Sequence, residues 1–316
     1  MNLTDFKGLD IAITGGAGFI GSHLTEKLLD LGASVTVIDN FLHGNKIEHL
    51  TGHKHLTVHQ ADIRETKTMT RLLKGKNLLF HLAAVVGVEE TQESPYEVLD
   101  VEIGGTVNIL NAAAKNNIKR FVFGSSSEVY GDSVEPTTEE ARLSPKSTYA
   151  VAKLVGEEYC KAFYHQYNLP FTILRYFNVY GPRQDKRCVI SRFIKRILAN
   201  ETIYIYGDGE QTRDFTHVDD AIHMTLLAAI KGETVSQAIN IGTGVATTIN
   251  DLVRTIAQSL NTNSQIKQKH VDYDETRPRK IEVFTRTADI SKAKRLLQYE
   301  PRIQLKEGIR ELIRLE

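Results

Sequence analysis

Tyr149 and Lys153 stand four residues apart, so on a helix they share one face. A phenol is a poor base at its ordinary pKa of about 10, but an ammonium held beside it stabilises the phenolate. Such a pair can take the proton of a substrate hydroxyl while a hydride leaves the same carbon. Ser126, just past the apolar run Phe121–Phe123, can bridge the substrate oxygen to Tyr149. An isolated Tyr and Lys at this spacing is ordinarily a surface pair whose lysine stem lies along apolar surface. The chemistry therefore needs support from elsewhere in the chain.

A hydride needs an acceptor, and the N-terminal segment offers a place for one. Gly15, Gly18 and Gly21 are spaced G-x-x-G-x-x-G between an apolar run and a helical pattern. In that context the first glycine allows a tight turn, the second lets backbone approach a pyrophosphate, and the third lets helix and sheet pack closely. The N-terminus of the helix then presents free N–H groups and the positive end of its dipole to the pyrophosphate. The next apolar run, Val35–Ile38, ends at Asp39. A carboxylate there hydrogen-bonds ribose hydroxyls and repels a 2′-phosphate, so NAD is expected rather than NADP.

These residues need a scaffold, and the chain alternates the elements of one. Leu9–Thr14, Ser34–Ile38, Leu56–His59, Leu78–Leu82, Phe121–Phe123 and Phe171–Leu174 read as short buried strands. Helical patterns follow the first glycines through Asp30 and recur at Glu65–Leu73, Tyr96–Asn116 and Thr148–Tyr167. The alternation predicts an α/β fold, a Rossmann-like doubly wound parallel sheet. After about residue 175 the pattern loosens into Ile190–Leu198, Ile203–Tyr206, the turn at Gly207 and Gly209, Val218–Ala229, Ala238–Ile241, Ile249–Leu260 (with Thr248 as its cap), Ile290–Leu297 and Leu305–Leu315. We expect an NAD-binding domain over 1–175, with 214–245 returning to it. A smaller, interleaved substrate-binding region takes 176–213 and 246–316. Lys plus Arg and Asp plus Glu number 39 each, so no net field recruits nucleic acid or an anionic membrane. Two cysteines, no apolar run of membrane length and no leader-like opening lead us to expect a cytoplasmic protein. No metal site is expected.

Taken together, TGGAGFIGSHL (14–24), DN (39–40), ADI (61–63), HLAA (81–84), SSSEVYG (125–131), YAVAK (149–153) and RYFNVYGP (175–182) resemble the extended short-chain dehydrogenase/reductases that modify nucleotide sugars. That group includes UDP-hexose 4-epimerases, 4,6-dehydratases and UDP-glucuronate decarboxylases. The resemblance continues through GDGEQTRDFTHVDD (207–220), NIGTG (240–244) and RPRK (277–280). It implies that Gly15, Gly18, Phe19, Ile20, Gly21, Asp39, Asn40, Asp62, Ile63, Leu82, Ala83 and Ala84 hold NAD, with Tyr149 and Lys153 on the nicotinamide ribose. It further implies that Asn178, Arg213 and Arg277 hold the substrate diphosphate, that Val86 and Val189 line the substrate site, and that two chains pair through Tyr96–Asn116 and Thr148–Tyr167. Ala112, Ala113, Ala114, Ala150 and Ala152 leave room for such close packing. Where many relatives carry Asn in an N-V-x-G-T segment this chain has Glu102, to which we assign no binding role.

The three chemistries share a first step. Hydride leaves C4 of a UDP-hexose or UDP-N-acetylhexosamine as Tyr149 accepts the hydroxyl proton, giving a 4-keto sugar. Glu128 separates the later steps, because a carboxylate two residues past Ser126 can act as a base for C5–H. On that ground the sequence favours a 4,6- or 5,6-dehydratase, with the 4-epimerase and the decarboxylase as alternatives. Against a standard 4,6-dehydratase, Ser127 stands where an Asp usually protonates the leaving hydroxyl. Arg286 loosely matches an arginine of the decarboxylases. A dinucleotide-binding scaffold without activity is the non-enzymatic alternative, and retention of both Tyr149 and Lys153 opposes it.

Overall fold

A computed structural model describes residues 3–86, 93–133, 136–260, 266–274, 278–279 and 282–316. From the N-terminus run β1 (Asp10–Thr14), α1 (Phe19–Asp30), β2 (Ser34–Asp39), β3 (Leu56–Gln60), α2 (Thr66–Leu72) and β4 (Leu78–His81). Then come α3 (Pro95–Leu99), a π-helical segment (Asp100–Gly105), α4 (Thr106–Lys115), β5 (Arg120–Ser126), α5 (Thr148–Tyr167) and β6 (Phe171–Tyr176). The later chain supplies β7 (Asn178–Tyr180), α6 (Val189–Leu198), β8 (Ile203–Tyr206), β9 (Thr212–Arg213), β10 (Phe215–His217) and α7 (Val218–Ile230). It ends with β11 (Gln237–Ile241), β12 (Thr247–Thr248), α8 (Ile249–Ser259), β13 (Gln268–Val271), α9 (Ser291–Leu297) and α10 (Leu305–Leu315).

Seven parallel strands form the central sheet in the order β11-β6-β5-β4-β1-β2-β3. The order reverses between β1 and β4, which opens a crevice at the carboxyl ends of those strands, where such sheets bind ligands. Alternate β1 residues serve opposite faces. Ile11 and Ile13 join α1, α7 and α9 in one core, while Ala12 joins α2, α4 and α5 in the other. Burial on both faces is why these strands read as continuous apolar runs. A third core gathers Ile190, Phe193, Ile205, Leu252, Ile256 and Ile309 from α6, β8, α8 and α10. Residues 288–297, grouped in sequence with the smaller region, contribute Ala288, Ile290, Ala293 and Leu297 to the first core instead.

One local departure matters for the site. The single helix expected over Tyr96–Asn116 contains the π-helical segment, which ends at Gly104-Gly105; glycine weakens a regular helix. Of the five alanines that leave room for close helix packing, Ala112, Ala113, Ala150 and Ala152 are at most 2% exposed within this chain, and Ala114 is half-buried.

The helix that carries Tyr149 is pinned to the sheet from below. Glu157 of α5 accepts from the Ser125 hydroxyl at 2.6 Å and from Arg175 Nε at 2.9 Å, and its second oxygen pairs with Arg175 Nη2 at 2.7 Å. Arg175 Nη1 donates to the Tyr130 hydroxyl, which donates to Asn240 Oδ1. A side chain at Gly156 would strike the Phe123 ring, so helix and strand touch at backbone distance. Breaking such a buried pair leaves an uncompensated charge at a cost of about 3–5 kcal/mol. Glu157→Gln should therefore lower the urea midpoint accordingly with little change in slope. A wild-type midpoint in that variant would show that Arg175 finds compensation elsewhere.

Candidate active site

The turn after β1 is shaped for close approach. Gly15 has φ 71°, and a Cβ there would lie 2.6 Å from the Ala83 amide nitrogen; at Gly21 it would meet the Gly15 carbonyl oxygen. Gly18 is the extended N-cap of α1 and has no side-chain cap, which leaves the first-turn N–H groups open to an anion. Phe19 and Ile20 are half-buried in that turn. Asp39 ends β2 beside it: one carboxylate oxygen accepts from the Ala17 amide at 2.9 Å and the other from the Phe41 amide at 2.8 Å. Asn40 is exposed and accepts from the Leu42 amide. Asp62 is held in a fork by Arg64, whose hydrogen bonds keep its carboxyl below the usual range, and Ile63 is buried against Gly105. A glycine cradle, an open helix N-terminus and a carboxylate at the next strand end are the set that a dinucleotide requires.

The loop after β4 forms the opposite wall. Leu82 and Ala83 are tied to Thr14 through backbone and hydroxyl contacts, Ala84 is half-buried, and Val86 is 47% exposed. Beneath them His81 lies within 2.6 Å of the Thr14 hydroxyl and 3.0 Å of the Thr106 hydroxyl. Burial, helped by Lys153, pushes the His81 pKa down to about 3, so its ring is neutral at ordinary pH.

Ser126, Tyr149 and Lys153 converge where β5 ends and α5 begins. Ser126 caps the short 3₁₀ turn Ser127–Tyr130 and hydrogen-bonds Tyr149. Tyr149 is half-buried, with its hydroxyl at the enclosed end. Lys153 Nζ sits 5.5 Å from the Tyr149 ring centroid and 5.4 Å from that of Phe123. The expectation that the lysine holds the phenol ionised needs correction. The ammonium pairs with Glu102 Oε2 at 2.8 Å, both side chains being at most 3% exposed. The phenol pKa is driven upward by burial, then by the charges of Glu102 and Glu128, against smaller opposition from Ser126 and Arg286.

Glu128 also lies near enough to Tyr149 for its charge to act on the phenol. Its Oε2 accepts from Ser147, the N-cap of α5, at 3.1 Å, and its Oε1 lies 3.4 Å from Arg286 Nη1. Arg286 is 12% exposed, and its Nε is buried with no hydrogen-bond partner among the described residues. Ser127 is buried. Asn178 begins β7, and its Oδ1 is likewise buried without a partner among the described residues. Val189 begins α6, half-buried. Arg213 is buried in an ion pair with Glu282 and donates to the Val283 carbonyl, and Arg277 lies outside the described residues.

Sequence reasoning missed the part played by Glu102, although a carboxylate in place of a common amide was a signal. It also missed Glu157 and Arg175, which carry no local signature. Cys160 and Cys188 are unpaired thiols, and no metal-binding cluster or helix long and apolar enough to span a membrane occurs among the described residues.

Comparison with known proteins agrees with this geometry. Residues 12–312 match the model of the GDP-mannose 4,6 dehydratase family. The chain is 38% identical over 313 residues to the UDP-N-acetyl-alpha-D-glucosaminuronate decarboxylase of Bacillus cytotoxicus, covering 95% of each. Its structure is similar to that of the UDP-glucose 4-epimerase of Thermotoga maritima solved with UDP-glucose, with TM-score 0.88, 36% identity and 97% and 98% of the two chains covered. It is also similar to the UDP-glucuronic acid 4-epimerase of Bacillus cereus in complex with UDP-glucuronic acid and NAD, with TM-score 0.89, 31% identity and 98% and 100% covered. The chain therefore belongs to the GDP-mannose 4,6 dehydratase family, a group of NAD-dependent short-chain dehydrogenase/reductase-type enzymes that act on nucleotide sugars as epimerases, dehydratases or decarboxylases.

Proposed function

We propose that this chain binds NAD, oxidises C4 of a UDP-linked uronic acid and releases its C6 carboxylate as CO₂. The observation that carries this reading is the Arg286 guanidinium, buried on Glu128 and next to Tyr149 with a free N–H among the described residues. A planar, permanently charged fork beside the reacting sugar selects a carboxylate. The dehydration favoured in sequence also required an acid for the leaving C6 hydroxyl, where Ser127 offers only a buried hydroxyl.

In this mechanism Tyr149 takes the C4 hydroxyl proton, with Ser126 orienting the oxygen. NAD, which the glycine turn after β1, Asp39, Tyr149 and Lys153 would hold, would supply a hydride acceptor for C4 that is regenerated within the cycle. The 4-ketone makes the uronate a β-keto acid, so the C5–C6 bond breaks with its electron pair delocalised onto the ketone oxygen. C5 then regains a proton, for which Glu128 and the Ser147 hydroxyl form the relay. Return of the Tyr149 proton restores the C4 hydroxyl. Arg213 exchanges Glu282 for diphosphate oxygens, Arg277 joins it, and the Asn178 amide and Val189 complete the nucleotide-sugar site. Exposed Tyr96, Val151 and Tyr159 on α3 and α5 support pairing of two chains through those helices.

Incubation with UDP-glucuronate, UDP-N-acetylglucosaminuronate, UDP-glucose, UDP-N-acetylglucosamine and dTDP-glucose, read by product mass, should give loss of CO₂ from a uronate. Loss of water would restore the dehydratase, and isomers of unchanged mass would point to the epimerase. Tyr149→Phe should cut kcat by at least about 10²-fold with NAD binding retained; undiminished turnover would remove Tyr149 from the chemistry. Arg286→Ala should lower kcat/KM for the uronate by about 10–100-fold, the worth of a charge-assisted contact of about 1.5–3 kcal/mol. Equal uronate turnover in that variant would overturn the role of the guanidinium.

A further inference from the structure

Glu102 is placed to do two things at once. Oε2 meets Lys153 Nζ at 2.8 Å, and Oε1 accepts from the Val85 amide at 2.7 Å. The first contact reaches the helix that carries Tyr149, and the second reaches the loop after β4 that walls the crevice. The π-helical segment, between α3 and α4 and packed against α5, supplies the residue. Burying a carboxylate and an ammonium together gains little net stability, because desolvation offsets their attraction. The pair therefore calls for another explanation than folding energy.

We infer that Glu102 is a positioning residue for Lys153, fixing the ammonium and the loop after β4 together and masking the lysine charge from Tyr149. The inference rests on Tyr149 and Lys153 being the catalytic pair of the proposed reaction. The charged groups that face this pair are Glu102 from the π-helical segment, Glu128 from the 3₁₀ turn and Arg286 from the segment before α9. His81 of β4 also faces it and is neutral. Of the two carboxylates, Glu102 is the one in direct contact with the lysine. Its negative charge opposes formation of the phenolate, so the pH at which Tyr149 becomes a base is raised by a residue that touches neither the phenol oxygen nor a reacting atom. Removing that charge while keeping the Val85 hydrogen bond should make Tyr149 a base at lower pH.

Glu102→Gln does this, because the amide oxygen still accepts from Val85. Tyr149 ionisation is read on NAD-loaded protein as the tyrosinate absorbance lost when Tyr149→Phe is added to each background, which needs no sugar substrate. The Gln variant should ionise at a pH lower by about one unit or more, and the ascending limb of its kcat/KM profile should move the same way. Glu102→Asp, which keeps the charge, should stay near wild type, and Glu102→Asn serves as a second neutral variant should the Gln protein not fold. Matching titration curves in wild type and a folded neutral variant, including no titration in either, would overturn the inference. A failed uronate assay beside a shifted titration would instead fault the substrate reading alone.

Discussion

Two side chains closed off from water, Glu157 on α5 and Arg175 on β6, fix where the reactive groups of this protein can be. Because Glu157 also accepts from Ser125 on β5, one carboxylate ties the helix of Tyr149 and Lys153 to the strand that ends in Ser126. A phenol, an ammonium and a hydroxyl from two elements are thereby held in register. Glycine at position 156 permits the short distance, and the ion pair makes separation costly. Pre-organised supports of this kind let a site keep its geometry while substrate and cofactor exchange.

Above that floor, the electrostatics are set by two carboxylates. Glu102 holds Lys153, and Glu128 holds Arg286, so each cation near Tyr149 has an acidic partner. The two pairs differ in consequence. The first is closed to water and acts on the phenol; the second is partly open and keeps a spare guanidinium N–H among the described residues. In the proposed reaction an acidic sugar would use the second pair directly, its carboxylate sharing the guanidinium with Glu128. A neutral hexose has no group that matches it.

The proposed diphosphate end follows similar logic. Arg213 is saved from isolation by Glu282 and by backbone carbonyls, so its burial is tolerable before any anion arrives. Asp214, next in sequence, accepts from Thr243, Gly244 and Ala288 and thus stitches β11 and the α9 approach to the same strand pair.

Local chemistry made much of this legible in the amino-acid order alone. The glycine spacing after an apolar run, the carboxylate closing the next run and the Tyr–Lys interval each depend on residues near one another in the chain, and backbone geometry ties such intervals to a face or a turn. The parallel sheet followed from the alternation of buried runs and amphipathic stretches. What the order of residues could not convey was which distant charges meet. Glu102 is 51 positions from Lys153 and Glu128 is 158 from Arg286, and only packing of the π-helical segment and the chain before α9 against α5 brings them together. The packing reversed the simple view of an unmasked lysine beside a phenol and gave Glu128 an arginine neighbour. Motifs fix what a residue can do; low dielectric and proximity, which exist only in the folded chain, decide what state it is in when it does it.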